Sequence, residues 1–347
     1  MIQLTIHQSY LFIILIVLLN TALGYLIQFS RGYLRYGGFL LQQYVLVVLS
    51  GFRYGIGTDY FSYKEIFDTV PNGHFEIEPF FRLSNIILKG LFGNFQSLVL
   101  ITSLITIILV NYVIIKNVDH YGLASFLYVS LWFYFIAWNL VRQFWAISML
   151  MAAYNSIMKK RNFAAFFFMV VAILCHYSSI LWIIVFLVIL SENHLLFALL
   201  LVFLLGSYFR YDFFIGLIPS ISKYRHYFLI SEVINYKALI YNLGLLIPFM
   251  FLNKSDYHNK NLRFSLELAV IGLVFLFLST KNMFFTRVVY YFTVYELLCI
   301  PKLLDVIHFG TERMVCSLIY IALGIVNIMV CFSQLHSGVI PLVFKVW

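Results

Sequence analysis

Residues 90–115 read GLFGNFQSLVLITSLITIILVNYVII, 26 residues in a row without a charge. As a helix this run is about 39 Å long, and the hydrocarbon core of a bilayer is about 30 Å thick. A run of that length and polarity is a membrane span, and it sets the reading of its neighbours. Of the 347 residues, 63% are hydrophobic and 11% are charged. Soluble domains carry about 25% charged residues. The chain therefore reads as an all-α, polytopic integral membrane protein.

Further apolar runs lie on both sides. Towards the N-terminus they cover 9–30 and 36–52. Towards the C-terminus they cover 121–141, 143–158, 162–175, 177–190, 195–209, 238–252, 264–280, 283–300 and 314–332. With 90–115 this predicts about 12 transmembrane helices in a single polytopic domain, 1–347. Two longer polar segments interrupt them, about 53–89 and 210–237. The first has a short apolar end, 80–92, that suits a re-entrant or interfacial helix. The tail 334–347 is amphiphilic and is expected at the interface. No internal repeat supports an inverted-repeat transporter.

Alternate threading puts Arg31, Arg35, Lys116, Lys159, Lys160, Arg161, Lys254, Lys260, Arg263, Lys302 and Arg313 on one side. Most of the remaining basic residues lie in the two long segments. Short connections on the other side keep Arg142, Lys281, Arg287 and Lys345. The bias makes the first side cytoplasmic. The excess of 23 Lys and Arg over 14 Asp and Glu fits anionic headgroups or an anionic substrate. No segment is polar enough for a nucleic-acid face. The four cysteines stand alone in apolar runs and read as core residues. No spacing suggests a metal or haem site, and no cofactor is expected.

On the outer side falls GFRYGIGTDYFSY, Gly51–Tyr63. Three glycines end the preceding helix and allow close backbone approach. Arg53 and Asp59 are close enough in sequence to pair with each other. Asp59, or Thr58, could cap a helix beginning at Tyr60. Arg142 and Arg287 stand at span ends with no acid at i±3 or i±4. They read as headgroup anchors or as ligand-binding cations. His176 splits two apolar runs. It reads as a hydrogen-bonded helix end or as a reactive side chain. The Lys223, Arg225, His226 patch reads first as a solvated or headgroup-facing surface. Glu296, inside an apolar run, requires a partner from another span.

Four pieces occur in order: FRYGIGTDYFSYKEIF (52–67), VRQFWAISMLMAAY (141–154), HYSSILW (176–182) and RVVYYF (287–292). Together they resemble the EpsG family of bacterial exopolysaccharide proteins, which is grouped with Wzy-type O-antigen and capsule polymerases. The resemblance implies a glycosyltransferase in the bacterial cytoplasmic membrane, working on its outer face. Such enzymes move a growing chain en bloc from undecaprenyl pyrophosphate to a new lipid-linked repeat unit. Partners would be the lipid-linked oligosaccharide, membrane lipid and, as a further candidate, a chain-length regulator protein. A GT-C-like architecture is compatible with this.

That chemistry assigns roles. Arg53, Arg142 and Arg287 are candidates to hold pyrophosphate, as fixed-charge forks suit phosphate oxygens. Asp59, or else His176, would take the acceptor hydroxyl's proton. Tyr54, Tyr60 and Tyr63 offer flat faces and hydroxyls to sugars. Lys223 and Arg225, in a segment placed to roof the cavity, suit phosphate or an anionic sugar. Asp59 has no paired carboxylate, so a metal-independent reaction is expected. A lipid-linked oligosaccharide flippase would want charges at mid-span. A membrane O-acyltransferase could use His176, but this chain offers a cytoplasmic acyl donor little.

Overall fold

The computed structural model describes residues 1–72, 77–209, 236–252, 258–281, 283–307, 309–335 and 338–345. Helix α1 (Ile6–Phe29) starts at Thr5, whose side chain accepts from the Gln8 amide while Gln8 reaches back to the Thr5 amide. This reciprocal cap satisfies two amides that a helix start leaves open. A turn at Ser30–Arg31 leads into α2 (Gly32–Gly51). Two short helices follow, α3 (Tyr60–Thr69) and α4 (Pro79–Phe92), and then α5 (Phe95–Asn117). Next come α6 (Tyr121–Ser130), α7 (Phe133–Asn139), α8 (Val141–Met158) and α9 (Asn162–Cys175). They are followed by α10 (Ile180–Leu190), α11 (His194–Phe209), α12 (Tyr236–Leu246), α13 (Lys260–Ser279), α14 (Met283–Thr293), α15 (Glu296–Val306) and α16 (Gly310–Ser333). The two-residue strands β1 (Ile2–Gln3) and β2 (Val343–Phe344) pair antiparallel.

Among the described residues, four helices are long and apolar enough to cross a membrane: α1, α5, α13 and α16. The run 121–141, expected as one span, is a pair. Helices α6 and α7 meet at 44° and, taken together, make a fifth candidate. The break falls at Trp132, which takes a left-handed φ of 73°. A bulky side chain rarely adopts that conformation. Large apolar side chains on α1 (Leu11, Leu15, Leu18) face outward, as lipid-facing residues do.

Contacts group the chain into two compact units, Met1–Ser179 with Ile307–Trp347, and Ile180–Val306. In the first, α6 packs on α1 and α16, α5 on α2 and α8, and α8 on α9. Polar side chains tie the apolar helices together. Asn20 donates to the Ser125 carbonyl at 2.6 Å, and Gln42 donates to Asn20 at 2.9 Å. Tyr121 donates to Gln42 at 2.6 Å, and Asn111 to Gln43 at 3.1 Å. Lipid offers no competing partner, so such bonds fix which helix faces touch. Gly24 lets α1 approach α6: a Cβ there would lie 2.6 Å from Ser125 Cβ.

The tail does more than lie at an interface. Tyr54 donates its amide to the Val343 carbonyl at 2.9 Å, and Lys345 donates to the Phe52 carbonyl at 2.9 Å. Leu4 donates to the Leu342 carbonyl at 3.0 Å. The tail thus runs between the first residues of the chain and the glycine-rich block.

In the second unit α13 is the centre, with α10, α11, α12, α14 and α15 against it. Trp182 stacks between Phe186 and Tyr295. Glu192 bridges Lys260 and Arg263 at one end of α13. Glu296 is buried, and its Oε1 has no hydrogen-bond partner among the described residues.

Replacing Gln42 by Ala strands Asn20 and Tyr121 inside the first unit. The expected loss of stability is about 1–3 kcal/mol, read as a lower thermal midpoint of the detergent-solubilised chain. An unchanged midpoint would show that this network does not hold the helices together.

Candidate functional site

Glu78 lies within the first polar segment, one residue before Pro79 opens α4. Its side chain is 5% exposed. Oε2 accepts from Arg142 Nη1 at 2.6 Å, and Oε1 lies 2.7 Å from His176 Nδ1. Arg142 comes from the first turn of α8, and His176 from the C-terminal cap of α9. Their side chains are 25% and 18% exposed, so both stay reachable above a carboxylate that is not. His176 Nε2 has no partner among the described residues.

Burial by itself would raise the Glu78 carboxyl. The hydrogen bond to His176 and the charge of Arg142 outweigh it and hold the group down at about 2. Glu78 is thus a fixed anion. It restrains the imidazole ring through Nδ1 and leaves Nε2 outward. The Arg142 guanidinium lies 5.7 Å from the ring centres of Tyr63 and Phe81. Its Nε is enclosed and makes no hydrogen bond. Tyr63 is buried. Burial raises its hydroxyl, Arg142 counters this, and the charge of Asp59 adds to it. Tyr63 therefore stands within electrostatic reach of both Arg142 and Asp59.

Arg53 lies elsewhere in this arrangement. It is 2% exposed. Nη1 donates to the Ser50 carbonyl at 2.6 Å and to Ser103 Oγ at 3.1 Å, and Nη2 donates to the Trp138 carbonyl at 3.3 Å. These bonds join the ends of α2 and α7 to the first half of α5. Two cavities of about 10 Å³ each flank it, room for one water apiece. The guanidinium is not open to a ligand here, and it forms no ion pair with Asp59. Gln96 also clamps the block, donating to the Gly51 and Arg53 carbonyls at 2.6 and 2.9 Å.

Asp59 occupies the N-cap position of α3, but its carboxylate caps nothing. Its backbone is helical (φ −94°, ψ 0°), whereas a capping side chain needs an extended residue. Thr58 does not cap either; its hydroxyl donates to Asn139 Oδ1 at 2.9 Å. Gly57, at φ 94°, presses on the end of α7: a Cβ there would lie 3.2 Å from Asn139 Cα.

Tyr60 is buried, with its hydroxyl 3.3 Å from Gln96 Oε1, so its ring offers no open face. Tyr54 is half-buried, with Lys345 Nζ 5.7 Å from its ring centre. Arg287 belongs to the second unit, half-buried on α14. Lys223 and Arg225 lie outside the described residues. The structure thus brings together Arg142, His176, Tyr63 and Asp59, and turns Arg53 and Tyr60 inward.

Glu78 is the residue that the sequence reading passes over. A signal was present: Arg142 has no acid within helical reach, so a partner had to come from a distant segment. The segment EIEP (76–79) on the same side carries two acids.

A family model described as the EpsG family matches residues 38–344. The chain belongs to the EpsG family. Every element that builds the Glu78 site lies inside the matched range. Membership carries a polymerase-like role in polysaccharide synthesis, in keeping with the membrane-spanning helices. Neither a curated protein nor a solved structure matches the chain.

A carboxyl held near 2, against an ordinary 4.5, stabilises the fold at pH above about 4.5, and that contribution is lost as pH falls towards 2. The solubilised wild type is expected to lose roughly 3 kcal/mol over this interval, and Glu78→Gln to show a flatter profile. Equal acid profiles would show that the carboxylate is not held by its two partners.

Proposed function

We propose that this EpsG-family chain joins lipid-linked oligosaccharide repeat units on the outer face of the bacterial cytoplasmic membrane. The growing chain leaves undecaprenyl pyrophosphate and is transferred whole to a new lipid-linked unit. The observation that carries this reading is the half-buried His176–Arg142 pair on the buried Glu78 carboxylate.

The reaction needs a proton acceptor beside a site for a leaving diphosphate, and the pair supplies both. As the acceptor hydroxyl oxygen forms its bond to the donor's anomeric carbon, its proton passes to His176 Nε2. Glu78 at Nδ1 orients the ring and stabilises the imidazolium that forms. The bond from that carbon to the diphosphate oxygen breaks, and the electron pair leaves with the lipid diphosphate. Arg142 stabilises the charge that builds there with a cation that needs no proton. Arg53 serves as a positioning residue that holds α7 against the glycine-rich block. Arg287, Lys223 and Arg225 remain candidates for further anionic contacts. Arginine takes the part that a metal plays elsewhere, so the reaction is proposed to be metal-independent. The shorter helices complete a set of about 12 crossings, for which a GT-C-like arrangement is the proposed architecture. A chain-length regulator is a proposed partner.

Complementation of a polymerase-null strain tests this. His176→Ala and Arg142→Ala are expected to abolish long chains at normal protein levels. The expected loss in rate is at least about 100-fold for the base. Arg142→Lys, which keeps charge but not the fork, should restore only part. Long chains from His176→Ala would overturn the assignment. Separately, the purified chain should keep its activity in a strong chelator. Loss on chelation with recovery in magnesium would count against a metal-free reaction.

A further inference from the structure

Asn139 closes α7 with a side chain fixed at one end and open at the other. Its Oδ1 accepts both the Thr58 hydroxyl at 2.9 Å and the Asp59 amide at 3.0 Å. Those two bonds set the plane of the amide, so the Nδ2 group faces away with its two donors unspent. The Asp59 carboxylate meets only the Thr58 hydroxyl, at a long 3.3 Å. No cation pairs with it among the described residues. A free carboxylate and a free amide therefore sit side by side on a rigid turn. The rigidity has named causes: Gly57 pressed on α7, the Gly57 amide donating to Gly338, and Arg53 holding the Trp138 carbonyl one residue before Asn139. Phe61, two residues on, is 59% exposed. The turn adjoins the site above: Tyr63, one helical turn after Asp59, has the Arg142 guanidinium 5.7 Å from its ring centre.

We propose that Asp59, Asn139 and Thr58 form a subsite for a neutral sugar, with the exposed Phe61 ring, which stands against Gly55 and Tyr60, as its apolar side. Adjacent sugar hydroxyls donate to the carboxylate and accept from the amide, and the ring's apolar face packs on Phe61. Neighbouring hydroxyls each need a donor and an acceptor, and this pair of side chains presents both in fixed positions. A diphosphate would be repelled by Asp59, so the ligand class is hydroxyl-rich and uncharged. That this sugar is the acceptor rests on the polymerase reading. It leaves proton removal to His176 and makes Asp59 an anchor.

The probe is the set of oligosaccharides released by partial acid hydrolysis from the polysaccharide of the strain that carries this chain. Binding to the detergent-solubilised full chain is followed by saturation-transfer NMR. Asp59→Asn and Asn139→Ala are expected to weaken binding about tenfold or more. Asn139→Asp keeps the acceptor that holds the turn, replaces the Nδ2 donors by an oxygen and adds a negative charge beside Asp59. Its weak binding at a normal thermal midpoint separates ligand recognition from folding. No binding by the wild type, or equal binding by Asp59→Asn and Asn139→Asp, overturns the subsite. If the sugar pattern holds while the wild-type chain fails to restore long chains to the polymerase-null strain, the polymerase reading fails and the subsite stands.

Discussion

A carboxylate taken out of water between a guanidinium and an imidazole is the interaction on which one end of the first unit depends. Glu78 lies on neither of the helices that it joins. Arg142 starts α8 and His176 closes α9, while Glu78 comes from the polar segment before α4. Removing the charge would leave Arg142 facing a buried neutral group, the costly half of breaking a buried pair. The same anion ties three chain segments that are far apart in sequence. Backbone hydrogen bonds cannot do this at helix ends, where donors and acceptors run out.

A second cation is handled in the opposite way. Arg53 has no carboxylate partner; carbonyl and hydroxyl oxygens surround it. Its neighbours are helix termini and small polar side chains, which let a long side chain cross from α2 to α7. One arginine is spent on architecture and another is kept for solvent. The membrane makes the distinction sharp, since each buried donor must find its acceptor within the protein.

Much of this was legible in the sequence. Charge-free runs located the long helices, because hydrocarbon imposes length and polarity directly. Basic short connections set Arg142, His176, Asp59 and Arg53 on one side, and in the first unit these residues do gather at one end. The fine assignments were not legible, because they depend on tertiary pairing. Nothing in GFRYGIGTDY distinguishes an arginine that faces a ligand from one folded back on Ser50 and Ser103. The bend at Trp132 was hidden too, since a run of apolar residues has the same composition straight or broken. Glu78 was visible as an unassigned acid, and Asn139 as an unremarked polar residue after an aromatic run.

The pairing of β2 with both β1 and the glycine-rich block has a consequence for assembly. The segments that meet there leave the ribosome at widely separated times. Residues 180–306 form a unit of their own inserted between them. The backbone clamp around residues 52–57 stays open while residues 58–337 are made, whatever the earlier helices have done. It closes only when the residues after Gly338 have been made and have reached that face. The order of synthesis thus keeps this part of the first unit unfinished until the inserted second unit has been made.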